Sequence, residues 1–284
     1  INSKSGYLDF PGKIFDVVSH LPNLIDQVQQ ENDIKIIQAL FRGYSFLASA
    51  YTLEPSFQHY RKTGKYGKAN NILPEQIAQP FVEVSNMLEV YPWLDYHYAY
   101  SLGNFKKIDK KGDHTWSNLY MCFRFSGQPD EVGFIMLHVD INQHSPDLVG
   151  SVISTLHSIK NNEVSNSIKY LKKNYLTMRV INQRRREMWK ASRWNHYNDF
   201  RVFIMGVKGN EELFGEGVLY QGVWKEHKQF RGQTGAQDDI IPMEDIFSGV
   251  IKHYPKNELT KYLLDLRKYR PKCIQSFFLD LEKS

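Results

Sequence analysis

Cysteine is nearly absent: only Cys122 and Cys273 occur among 284 residues. Two distant thiols build no disulfide framework, and no CxxC pair offers a zinc or redox site. A reducing, cytoplasmic setting is the expectation. Long apolar runs are also missing. The longest, Val132 to Ile141, is broken by His138 and Asp140 and falls well short of the roughly 20 residues a spanning helix needs, so no membrane partner is expected. The net charge is only +5, and no Lys/Arg stripe alternates with aromatics as a nucleic-acid footprint requires. The opening INSKSGYLDF lacks the basic start and apolar stretch of a secretory signal. A first residue Ile1 in place of Met leads us to expect further residues ahead of it. Common catalytic signatures are missing too: no HExxH, no GxSxG, no Walker loop, and Gly215-Glu-Gly217 lacks the third glycine of a dinucleotide fingerprint.

What is present suffices for a large core. Apolar residues make up 42% of the chain and aromatics 14%, which excludes disorder. Apolar residues return at helical spacing from Ile14 to Tyr51. Thr52 to Pro74, rich in Gly, Asn and Lys, reads as a surface loop. Helix resumes at Pro74 with a break or kink at Pro80, and a second polar loop spans Lys106 to Thr115. Phe134, Leu137, Ile141, Leu148, Val152, Leu156 and Ile159 keep helical intervals, with Pro146 marking a kink or a fresh start. A long helix follows from Val164 to about Ser192, its run Arg184 to Glu187 reading as a solvated face. Glycines cluster from Gly206 to Gly235, and two helical stretches separated by Pro271 close the chain. The expected class is mainly α, with a small N-terminal part (1–125) and a larger helical part (126–284).

A few polar residues interrupt these apolar stripes. His138 lies four residues after Phe134 and three before Ile141, on the inward face of its helix. It is either a core histidine with both nitrogens satisfied or a pocket histidine able to donate or accept a hydrogen bond. Arg201 shares a helical stripe with Trp194, Tyr197 and Ile204. An inward guanidinium needs an anionic answer, either an internal Asp or Glu or a ligand carboxylate matched to its planar fork. His196 either lines the same pocket or sits at the helix edge. In the loop Phe230 to Asp239, the small residues Gly232, Gly235 and Ala236 let the backbone approach a flat ligand, and Thr234 offers a hydroxyl. The plainer reading is a surface turn capped by Asp238 or Asp239.

In order, these segments resemble the indoleamine 2,3-dioxygenase family. The likeness is strongest in RVFIMGVKGNEELFGEGVLYQGVW, FRGQTGAQDDIIPMEDIF and LTKYLLDLRKYRPKCIQSFFLDLE, and weaker in HLPNLI, ILPEQIAQPF, SLGNF and GFIMLHVDI. It implies a helical haem enzyme that uses O2 to open the indole C2–C3 bond of tryptophan or a related indoleamine, giving an N-formylkynurenine-type product. It further implies Arg201 as the carboxylate anchor, Thr234 as a hydroxyl near the substrate amino group and a haem propionate, and Phe134 as an aromatic beside the indole. Gly232, Gly235 and Ala236 would face the haem. Tyr100 and Ser101 align with distal-pocket lining, and His196 stands where the family has phenylalanine. His138 stands where vertebrate members have serine; as in tryptophan 2,3-dioxygenases, it would hydrogen-bond the indole N–H. No residue here matches the family's proximal iron ligand, which is expected on a helix beyond Ser284. The alternatives are a haem oxygenase of a substituted tryptophan in specialised metabolism, or a ligand-binding protein on the same scaffold.

Overall fold

A computed structural model describes residues 12–284; the opening INSKSGYLDF lies outside them. Two short helices, α1 (Lys13–Ser19) and α2 (Ile25–Gln29), lead into α3 (Ile34–Thr63). Asp33 starts α3 by accepting from the Lys35 amide, and Gly64, at φ 72°, ends it, as caps that use an acceptor side chain and a left-handed glycine should. The loop expected from Thr52 therefore begins only at Gly64. Helix continues through Pro55 because Leu53 and Phe57 are buried, and packing outweighs the roughly 3 kcal/mol a mid-helix proline costs. After β1 (Ile72–Leu73), α4 (Glu75–Met87) starts from Pro74 and carries Pro80 without a break.

The chain then makes one π-helical turn, Tyr96–Tyr100, whose wider pitch is held by the Asp95 carboxylate accepting from the Tyr98 and Ala99 amides. Such turns often sit at functional sites. β2 (Phe105–Lys107) and β3 (Leu119–Met121) form an antiparallel hairpin around the expected polar loop. Pro146 proves to be a fresh start, with α5 (Pro129–Asn142) and α6 (Ser145–Lys160) as separate helices. The long helix expected to Ser192 divides into α7 (Val164–Arg185) and α8 (Met188–Ala191). The stripe bearing Arg201 is likewise broken: α9 (Asn198–Arg201) lies between the 3-10 turns Trp194–His196 and Val202–Ile204. α10 (Glu211–Phe214) precedes β4 (Leu219–Tyr220), which pairs in parallel with β1. The chain closes with α11 (Ile240–Phe247), α12 (Glu258–Asp265) and α13 (Lys272–Lys283), the last begun by Pro271.

Two apolar cores result. The larger joins α3, α4, the π-turn and α5 to residues 200–220, with Phe125 stacked between Phe46 at 4.6 Å and Phe203 at 4.9 Å. It takes residues from both sides of position 125, so the expected division falls inside a shared core. The smaller unites α6, α7, α11 and α13 through Leu148, Val152, Ile181, Met243 and Phe278. Among the described residues no helix is long and apolar enough to cross a membrane.

One residue of the supposed solvated run has another role. Arg184 grips the fully buried Asp140 through Nε at 2.8 Å and Nη2 at 2.6 Å, because a buried carboxylate must be paired. Arg185 and Arg186 remain exposed. Two turns earlier in α5, Gly133 faces α8 so closely that a Cβ would overlap the Ala191 carbonyl. Gly133→Ala is therefore expected to destabilise the protein by about 1–3 kcal/mol, the usual cost of overpacking. Chemical denaturation reads this out; an unchanged midpoint would show that α8 yields freely.

Candidate active site

A cavity of about 410 Å³ opens between the α9 segment and the loop 231–235. Two backbone stretches meet at its floor. The amides of Val207 and Lys208 both donate to the Phe230 carbonyl, at 2.8 and 3.0 Å, and a Cβ on either Gly206 or Gly232 would overlap the other's backbone. Phe134 and Tyr197 supply an aromatic wall, with rings edge to face at 5.6 Å.

Arg201, Lys208 and Arg231 line this cavity, and among the described residues no carboxylate does. Lys208 and Arg231 share Asp265, at 2.9 and 2.7 Å. Burial would raise the Asp265 carboxyl, but its hydrogen bonds from Lys208 and Arg231 outweigh that and hold it below its ordinary value. The guanidinium of Arg201, partly buried at the end of α9, has no hydrogen-bond or ion-pair partner among the described residues. Among the described residues, the internal salt bridge weighed above is not made. The cavity thus pairs an excess of positive charge with an aromatic face, a combination suited to an anionic aromatic ligand.

Loop 234–239 forms the adjoining wall. Its first turn is a capping box in which Thr234 Oγ1 accepts from the Ala236 amide at 3.3 Å and Gln237 Oε1 accepts from the Thr234 amide at 3.2 Å. The Thr234 hydroxyl proton is left for a ligand. The plainer reading of this loop as a turn also holds in part, since Asp238 Oδ1 accepts from the Ile240 amide at 3.0 Å where α11 begins, although the N-cap residue Asp239 makes no side-chain cap. Gly232, Thr234 and Gly235 line the cavity. Ala236 does not; it faces a second, smaller cavity of about 260 Å³ beside Ile241 and Leu263.

Beneath this loop, Arg270 is 1% exposed. Its Nε donates to Asp239 Oδ1 at 2.7 Å, and its Nη2 reaches the carbonyls of Ala236 and Asp238 at 3.2 and 2.9 Å. Burial lowers its pKa, and Asp239 opposes that. His97, from the π-turn, meets the other Asp239 oxygen at 2.9 Å.

His138 stands one layer behind the aromatic wall, its ring edge to face with Phe134 at 5.7 Å. Its Cε1–Nε2 edge faces Gly235, where an added Cβ would lie 3.1 Å from Cε1. Its Nδ1 lies 3.1 Å from the Tyr96 hydroxyl. Burial lowers the His138 pKa below its ordinary 6.5, only partly offset by Asp238, so the imidazole is neutral at pH 7. His138 is thus no sealed core residue.

The other three expected residues sit elsewhere. His196 is 45% exposed and pairs with Asp199 at 3.2 Å, since the break before α9 turns it away from the cavity. Tyr100 is fully buried in the larger core and donates to Glu131 at 3.0 Å; burial first, then Glu131, raises it well above the phenol range. Ser101 is buried behind the cavity, where its hydroxyl accepts from Gln233 at 3.2 Å and steadies that lining residue.

Tyr96, Asn142, Asp238, Lys208 and Tyr262 were not singled out beforehand as site residues. Asn142 follows His138 by one helical turn, a local signal that was available. The others reach the site only through contacts distant in sequence.

A family model described as indoleamine 2,3-dioxygenase matches residues 12–284. Rat indoleamine 2,3-dioxygenase 1 (Rattus norvegicus) is 25% identical over 278 residues, covering 96% of this chain and 64% of that protein. Human indoleamine 2,3-dioxygenase 2 (Homo sapiens) is 25% identical over 276 residues, covering 95% of this chain and 66% of its own length. Indoleamine 2,3-dioxygenase nanC of Aspergillus nanangensis is 26% identical over 226 residues, with 75% and 54% covered. The chain thus spans about 64% of the length of the mammalian proteins it first matches.

Proposed function

Because the chain belongs to the indoleamine 2,3-dioxygenase family, we propose that its cavity binds tryptophan or a related indoleamine for haem-dependent opening of the indole C2–C3 bond. The product would be of the N-formylkynurenine type. The observation that carries this reading is the unpaired Arg201 guanidinium beside the Phe134–Tyr197 wall.

The chain's own part is positioning, which can supply much of a catalytic rate when reacting groups are held in line. Arg201 offers two parallel N–H groups to the substrate carboxylate. Phe134 and Tyr197 hold the indole plane, and the Thr234 hydroxyl stands near the amino-acid end. His138, neutral, orients the indole N–H and need not remove its proton.

Haem is the group the family implies. Among the described residues no three His, Cys, Asp or Glu side chains converge to hold a bare metal ion. The cavity wall nonetheless fits one face of a flat, doubly anionic macrocycle. Gly209 and Gly235 leave bare backbone, with the Arg231 guanidinium 4.0 Å from where a Gly209 Cβ would stand. Arg231 and Lys208 would hold the propionates. When bound, haem supplies the redox chemistry that activates O2.

The test is incubation of haem-loaded protein with L-tryptophan, reductant and O2, followed by mass spectrometry. The expected product is heavier than the substrate by one O2. Binding of tryptophan without any oxygenated product would sink the dioxygenase reading, whereas a singly oxygenated product would point to the specialised oxygenase.

A further inference from the structure

Tyr96 has one hydroxyl proton and two groups competing for it. Its oxygen lies 2.7 Å from Asp238 Oδ2 and 3.1 Å from His138 Nδ1. Two sets of lone pairs, one of them on a carboxylate, are not stable at 2.7 Å without a proton between them, so the phenol donates to Asp238. Burial, then the Asp238 charge, raises Tyr96 well above the ordinary phenol range, so that proton stays on its oxygen. The hydroxyl then presents a lone pair to His138, and Nδ1 must carry the imidazole hydrogen.

Asn142 locks the arrangement. Its amide donates to Asp238 Oδ2 at 2.6 Å and to the His138 carbonyl at 2.9 Å. The other Asp238 oxygen is committed to the Ile240 amide. The carboxylate therefore cannot turn to release Tyr96. No described residue donates to His138 Nε2, which faces Gly235 at the cavity edge.

We propose that Asp238 and Tyr96 are positioning residues that hold His138 as the Nδ1–H tautomer. Nε2 is thereby a hydrogen-bond acceptor, and the site selects aromatic ligands that carry a ring N–H over those whose nitrogen is alkylated. This selectivity rests on the reading of the cavity as an indole site; the tautomer does not. Second groups that fix a histidine's tautomer act in the same way on metal-binding and catalytic imidazoles.

Two measurements test it on the 284-residue chain. Long-range 1H–15N correlation on histidine-labelled protein, with His138 assigned by its loss in His138→Gln, should show a protonated Nδ1 and a bare Nε2. In Tyr96→Phe the preference should shift toward Nε2–H, because Nδ1–H has lost its acceptor. Asp238→Asn is the second variant if Tyr96→Phe does not fold, and it should disturb the tautomer in the same way.

The binding arm compares indole-3-propionate with its N-methyl analogue by calorimetry. Wild type should favour the N–H ligand roughly ten-fold, the worth of one hydrogen bond at a partly enclosed site. Tyr96→Phe should shrink that ratio to within about three-fold while leaving the N-methyl ligand's affinity in place. A protonated Nε2 in wild type overturns the proposal, as does an N–H to N-methyl ratio that Tyr96→Phe leaves unchanged. If neither ligand binds, the indole-site reading and the selectivity fail together, and the correlation spectrum still decides the tautomer.

Discussion

Arg201→Ala is expected to weaken L-tryptophan binding by roughly 30- to several-thousand-fold. Removing one partner of a charged hydrogen-bonded pair in an enclosed site costs about 2–5 kcal/mol, and each 1.4 kcal/mol is a factor of about ten. Among the described residues the guanidinium at the cavity wall has no carboxylate partner, so its charge is available to a ligand. Arg201→Lys keeps the charge but loses the planar fork, and its loss should fall between wild type and alanine. Tryptamine, which lacks the carboxylate, supplies the control. It should bind wild type weakly and lose little more in Arg201→Ala, because the arginine's partner is already gone. Titration calorimetry of both ligands against both proteins completes the cycle. If the two losses simply add, Arg201 does not touch the carboxylate.

The second large effect is expected at Arg270, where stability and the site meet. The loop 234–239 carries the Thr234 cap and Asp238, and it is tied down from beneath by one cation that reaches the Asp239 carboxylate and two backbone carbonyls. The same guanidinium lies 5.5 Å from the centre of the Phe278 ring on α13, so it joins the loop to the smaller core. Arg270→Ala strips three acceptors of their donor and leaves Asp239 without its strongest partner, for which about 3–5 kcal/mol is the usual cost. At roughly 2–4 °C per kcal/mol for a chain of this order of size, Tm should fall by about 6–20 °C. Ligand affinity should fall with it, as the loop loses its support. The double variant Arg270→Met with Asp239→Asn removes the charge along with its partner and should recover much of the stability. A thermal scan placing Arg270→Ala within a degree of wild type would show that His97 and water hold the loop unaided.

How far the site could be read beforehand differs residue by residue. Arg201, Phe134, Thr234, Gly232 and Gly235 come to one cavity, because each was marked by a feature that survives without coordinates: a cation on an apolar stripe, an aromatic one turn ahead of an inward histidine, a run of small residues. His138 was read as inward with its role open, and it is the Tyr96 contact that makes one nitrogen the free one. Ala236 belongs to the neighbouring cavity. Tyr100 and Ser101 were placed by alignment with a family, and alignment reports position along the chain, not the direction of a side chain; for His196 the residues left open a pocket or a helix-edge position. The π-turn sends Tyr100 into the core and Ser101 behind Gln233, while the break ahead of α9 turns His196 outward. Arg184 shows the same limit, since a basic run looks solvated until the buried Asp140 answers one member of it.

By itself, the sequence determined that this chain is mainly helical, where several of its helices start, and that it belongs with the indoleamine 2,3-dioxygenases. Those properties rest on periodicity, caps, prolines and ordered motifs, which act over a few residues or repeat along the chain. Only the tertiary structure decided that the Arg201 guanidinium lacks a partner among the described residues, that Arg270 clasps the loop 234–239, and that the Tyr96 hydroxyl stands between Asp238 and His138. Each depends on groups more than 30 residues apart coming within hydrogen-bond reach, or failing to. Local pattern carries no term for such distances, because they are set by how the helices pack.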